Sequence, residues 1–153
     1  MAMQSIVVDF SNTLEMAPTP ERKIMINSNE ILETTYSYNE LYTMMSIASH
    51  NYQLVGYVRG ELCDKLDDFF REISSSLRFP DDFGWNWDAF DDWIQDLDWF
   101  KFSGILIVIN HYSLVFKNEF SQEKYRKLLI EHLQLTTQYW NEQNVPIKII
   151  LNN

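Results

Sequence analysis

Between residues 81 and 98 the chain carries seven aspartates, at 81, 82, 88, 91, 92, 96 and 98, and not one lysine or arginine. Three of its five tryptophans, Trp85, Trp87 and Trp93, fall in the same window, and Trp99 adjoins it. Clustered carboxylates can ligate a metal, share acid–base work at a glycosidic bond, or present negative charge to a cationic partner. A metal-binding loop needs converging ligands, and no D-x-D-x-D-G run of the EF-hand kind is present. A carboxylate pair doing acid–base chemistry needs a cleft. The third use needs only a rigid surface.

Helical geometry decides how these side chains would be displayed. With Phe90 at 0° and about 100° per residue, Trp93, Ile94 and Leu97 fall within about 60° of it. Asp88 and Asp92 fall near 160° and 200°, Gln95 near 140° and Asp91 near 100°. Two carboxylates thus stand one turn apart on the side away from the apolar stripe, which argues against a cleft. The arrangement is poor for the helix itself. The like-charged i,i+4 pairs 88/92 and 92/96 each cost roughly 0.2–0.5 kcal/mol, and only Asp88 gains from the helix dipole. A local rule broken without structural gain points to function. A solvated acidic face needs no partner, but aromatic side chains beside clustered charge are typical of an interface.

Other chemistry is sparse. His50, His111 and His132 are far apart in sequence, and His132 reads as a hydrogen-bonded residue on an apolar helix face. The four glycines, at 56, 60, 84 and 104, assemble no phosphate-binding loop. Serine has no nucleophile-elbow context. The single cysteine, Cys63, excludes an intrachain disulfide or a cysteine zinc site and reads as buried and inert. No enzymatic activity, cofactor or metal is expected.

The elements that must position the acidic helix are legible from residue 52 onward. Residues 53–58 read as a strand. Leu62, Leu66, Phe69, Phe70, Ile73 and Leu77 trace one face of a helix ended by Phe79-Pro80. Asn86 caps the acidic helix. Residues 104–110 form a β-branched run suited to a strand covered on both faces. Ser121 caps a long helix with Tyr125, Leu128, Leu129, His132, Leu133, Thr136 and Trp140 on one face, stopped by Asn144 and Pro146, and 147–151 is a final strand. Helical crossovers between apolar strands imply an α/β layered fold with a small, mostly parallel sheet and right-handed connections. Earlier, residues 5–10 suit a strand, 16–21 a proline-containing loop and 23–27 a strand. Residues 41–48 suit either a strand, turning at 49–51 into the next, or a helix over 39–48. The division is therefore a β-rich N-terminal extension, 1–51, packed on a main domain, 52–153.

The whole chain has 153 residues, 46% of them apolar and 15% aromatic, enough for a packed core. Twelve basic against 22 acidic residues leave a net charge of −10, which argues against nucleic acid or an anionic membrane and for a basic partner. The first residues carry no signal-peptide pattern and no stretch suits a membrane span, so a cytoplasmic location is expected.

The stretch from Phe79-Pro80 through Phe83, Gly84, Asn86, Asp88, Ala89 and Asp92 resembles the signature of the barstar family of ribonuclease inhibitors. There a Phe/Leu-Pro pair, an aromatic–glycine loop and an Asn-x-Asp-Ala opening lead into the acidic inhibitory helix. The element order agrees over 53–151. The resemblance implies a barstar-like fold and an inhibitor or immunity protein that blocks a basic secreted ribonuclease, or nuclease toxin domain, with its acidic helix. Asp92 would be the central anchor and Asp88 the second contact, with Asp82, Phe83, Gly84, Trp85, Asn86, Trp87, Asp91 and Asp96 completing the partner-binding set. Asp82 stands where the family usually has tyrosine, and no motif carries the family's later acidic contact to Glu119 or Glu123. The alternatives are an acidic interaction module of the same fold with a non-nuclease partner, and a nucleic-acid mimic.

Overall fold

Residues 104–110, Gly-Ile-Leu-Ile-Val-Ile-Asn, offer no polar side to water, and they become the interior of a sheet. The computed structural model describes residues 30–153. In it β1 (Glu30–Thr34), β2 (Gln53–Arg59), β3 (Gly104–Asn110) and β4 (Ile147–Asn152) lie in the order β1-β4-β3-β2, and every pairing is parallel. Every residue of β3 and β4 is buried, as burial on both faces requires. The crossovers are helical. α1 (Tyr38–His50) joins β1 to β2, α2 (Leu66–Leu77) and α3 (Trp87–Ile94) lie between β2 and β3, and α4 (Gln122–Glu142) joins β3 to β4. The expected α/β layered fold is the one observed.

Strand periodicity splits the core in two. Ile105, Ile107, Ile109, Ile147, Ile149 and Leu151 pack with the apolar stripes of α2, α3 and α4. The alternate residues Leu106, Val108 and Ile150 meet Leu41, Met44 and Ala48 of α1. α2 lies so close over β2 that a Cβ on Gly56 would stand 2.9 Å from Leu77 Cδ2. At the carboxyl ends of the strands, the buried Asn152 side chain joins the sheet laterally. Its Oδ1 accepts from Thr34 Oγ1 at 2.7 Å and Tyr36 N at 2.6 Å, and its Nδ2 donates to Tyr36 O at 3.0 Å and Asn110 Oδ1 at 2.9 Å. Asn110 Nδ2 donates onward to Tyr57 OH at 2.9 Å.

Some elements differ from the sequence-based expectation. Residues 41–48 are helical, and the expected hairpin turn at 49–51 is a helix-to-strand connection. The deciding feature is a capping box, in which Ser37 Oγ accepts from Glu40 N at 3.2 Å and Glu40 Oε2 accepts from Ser37 N at 3.1 Å. β1 has no counterpart in the expected elements. α2 begins at Leu66 rather than at Leu62, which lies in a 3₁₀ turn and is 49% exposed. The start is fixed by carboxylates on its first amides: Asp68 Oδ2 accepts from Lys65 N at 3.0 Å and Glu119 Oε2 from Leu66 N at 2.7 Å. α3 ends at Ile94, so Leu97 joins the core from beyond the helix, with a positive φ of 50°. The expected elements at 5–10, 16–21 and 23–27 lie outside the described residues.

Candidate functional site

α3 has only eight residues, too few to be stable as an isolated helix in water. It is held by its cap and its buried side. Asn86 Oδ1 accepts from Ala89 N at 2.8 Å, and Asn86 Nδ2 donates back to Gly84 O at 3.1 Å, which ties the preceding loop to the first turn. Phe90 and Ile94 are fully buried, and Phe90 meets Phe69, Phe70 and Phe79 at centroid distances of 6.0 to 6.3 Å. Gly84 does not adopt a positive φ, but a Cβ there would approach Asn86 Nδ2 to 3.1 Å and crowd the capping amide.

With the buried side fixed, Asp88 and Asp92 are both exposed, one turn apart on the outer side of α3. No ion pair among the described residues includes either of them. Asp82 and Asp96 are also exposed, Asp82 in the loop before the cap and Asp96 in the turn after the helix. Asp91 lies about 100° around the helix from Asp92 and is turned toward α4. Both of its oxygens lie 3.0 Å from His132 Nδ1 on α4, and the two side chains are only 22% and 18% exposed.

The aromatic residues of the window divide similarly. Phe83 is in the core, edge-on to Phe70 at 5.5 Å and to Phe79 at 5.2 Å. Trp87 is half-buried, edge-on to Phe70 at 5.1 Å and stacked on the His132 ring at 4.3 Å with only 4° between the planes. Trp85 is the exposed one. It is 42% accessible, adopts φ 54°, and stacks at 6.3 Å on Phe83, with the Arg71 guanidinium 5.7 Å from its ring centroid. Arg71 also reaches Asp68 at 2.7 Å, and that hydrogen bond holds the Asp68 carboxyl below its usual range.

Asp88, Asp92 and Asn86 therefore stand as helical periodicity places them. The attachments of Asp91 to His132 and of Trp85 to Arg71 link residues on different elements, and no local pattern signals them. Glu119 caps α2. Among the described residues no three His, Cys, Asp or Glu side chains are grouped to hold a metal ion, and no helix is long and apolar enough to cross a membrane.

Chemically, the outer side of α3 offers carboxylates. Two acceptor groups held one turn apart on a supported helix suit the recognition of guanidinium or ammonium donors. Residues 53–152 match the family model described as Barstar (barnase inhibitor). No curated protein matches the chain.

Proposed function

The chain belongs to the barstar family, and from that membership we propose that it inhibits a basic ribonuclease by laying α3 across the enzyme's active site. An enzyme that cleaves a phosphodiester gathers cationic side chains to hold the phosphate. Carboxylates on a rigid support take the place of that phosphate, pair with arginine in a two-pronged fashion, and exclude the substrate without chemistry of their own. Asp92 is the central anchor in this reading and Asp88 the second contact. Asn86 and Gly84 set the entry to the helix. Trp85 supplies aromatic surface beside Asp82, where the family usually has tyrosine.

The observation that carries the reading is the exposure of Asp88 and Asp92 on one side of α3, with no cation of the described residues paired to either. The net charge of −10 adds long-range attraction for a basic partner. The partner class is a basic secreted ribonuclease or a nuclease toxin domain, against which the chain serves as an immunity protein in the cytoplasm.

Titration of barnase activity with the full chain tests this. The expected result is loss of RNA cleavage with an end point at one chain per enzyme. Asp92→Ala is expected to weaken binding by about 2 kcal/mol or more, roughly 30-fold. Unchanged cleavage at excess inhibitor would contradict barnase as a target, and an unchanged affinity for Asp92→Ala would remove that residue from the anchor role.

A further inference from the structure

Trp87 and Asp91 are four residues apart on α3, and so are Asp88 and Asp92. The second pair follows the first by one residue, a rotation of about 100° around the helix. One side chain of α4 holds both members of the first pair. The His132 ring lies flat on Trp87 at 4.3 Å, and its Nδ1 stands 3.0 Å from both Asp91 oxygens. A carboxylate only accepts hydrogen bonds, so Nδ1 carries the hydrogen and donates it.

We propose that His132 is a positioning residue for the acidic face, clamping α3 to α4 so that Asp88 and Asp92 project and Asp91 does not. The apolar contacts of Phe90 and Ile94 hold the inner side of α3 but lie on one side of its axis. Trp140 Nε1 of α4 also donates to Ile94 O at 2.9 Å, at the end of the helix. The clamp adds an attachment displaced around the helix and nearer its start, and together these contacts fix its rotation. Orientation matters for a carboxylate meant to meet a planar cation from two directions, and a contact prepared in advance spares the cost of ordering it on binding. Asp91, with both oxygens engaged and its side chain mostly covered, supports the face from inside. The inference deepens the inhibitory reading given above and rests on it for the link to affinity.

The test uses the full chain with four substitutions, His132→Leu, His132→Asn, Asp91→Ala and Asp91→Asn, each checked for native circular dichroism. The readouts are the dissociation constant for barnase, ¹⁵N spectra of the imidazole, and amide hydrogen exchange of α3. His132→Leu and Asp91→Ala break the clamp and are expected to weaken binding about tenfold and to speed exchange in α3. His132→Asn keeps a donor near the Nδ1 position, and Asp91→Asn keeps an acceptor oxygen. Each is therefore expected to retain most of what the apolar substitution at the same position loses. The ¹⁵N spectrum of the unsubstituted chain is expected to show a protonated Nδ1.

Equal losses for Asp91→Asn and Asp91→Ala would overturn the proposal, because the charge itself would then be what the partner reads. Unchanged affinity in a natively folded His132→Leu would also overturn it. If the unsubstituted chain does not bind barnase, the inhibitory reading fails for that enzyme and the clamp is still decided. Unaltered exchange in His132→Leu, or an unprotonated Nδ1, would then dismiss it.

Discussion

Asp92 and Asp91 are adjacent in sequence and opposite in circumstance. One stands in water without an ion-pair partner among the described residues, while the other is bonded by both oxygens to a histidine 41 positions away. Cys63 shows the same dependence on surroundings. It is wholly buried, its Sγ 3.5 Å from the Arg59 carbonyl oxygen, and burial first, then the nearby Glu72 carboxylate, push its thiol up to about 12. The reactive species is the thiolate. Cys63 is therefore expected to resist a disulfide reagent at about pH 8 in the native chain and to react stoichiometrically once the chain is unfolded. Rapid labelling under native conditions would contradict this. At this scale the sequence reveals what depends on local geometry. Asn86 as a cap and Asp88 with Asp92 on one side follow from helical spacing alone. The His132–Asp91 and Glu119–Leu66 contacts span 41 and 53 positions, and nothing nearby in the chain announces them.

The elements are also bound by contacts between side chains of different elements. Glu72 of α2 takes three hydrogen bonds from Arg59 at the end of β2, from the backbone N at 3.1 Å, Nε at 3.0 Å and Nη2 at 2.7 Å. These bonds, the side-chain ones foremost, hold the Glu72 carboxyl below its ordinary value of 4.5. The folded state thus favours the ionised carboxylate. The stabilisation is fully present above the titration of the unfolded chain and is lost as pH falls through the lower folded value. Glu72→Gln is expected to lower the urea midpoint at neutral pH, and the deficit should shrink as pH approaches about 3. A deficit that stays constant with pH would contradict the assignment. Strands β3 and β4 are readable from sequence because continuous β-branched runs are rare outside two-sided sheets. α1 is ambiguous because its apolar residues fit either period, although Ser37 and Glu40 already spell a capping box. β1 gives no comparable signal because it is short and at the sheet edge, its Glu30 paired across the strands with the buried Lys148 at 2.6 Å.

Across the whole molecule, the sheet is a platform that carries α3 at one side, and its cohesion has a polar component. The Asn152 side chain uses two acceptor and two donor positions to join β1, β4 and β3 at their carboxyl ends. Asn152→Ala would leave the buried Asn110 side chain and partly buried groups on Tyr36 and Thr34 without that partner, at a cost of about 1–3 kcal/mol. Chemical denaturation is expected to register it, and an unaltered midpoint would show that the strand ends are held by other means. Net charge is legible from composition, but composition does not separate a diffuse acidic surface from a site. Calorimetric titration of barnase with two doubly substituted chains distinguishes the two. Asp88→Asn with Asp92→Asn, and Asp81→Asn with Asp98→Asn, each reduce the net charge from −10 to −8. The first pair is expected to lose about 100-fold or more in affinity and the second to stay within about threefold of the unsubstituted chain. Equal losses from the two pairs would contradict a localised site, because barnase would then be answering to overall charge and not to the two carboxylates on the outer side of α3.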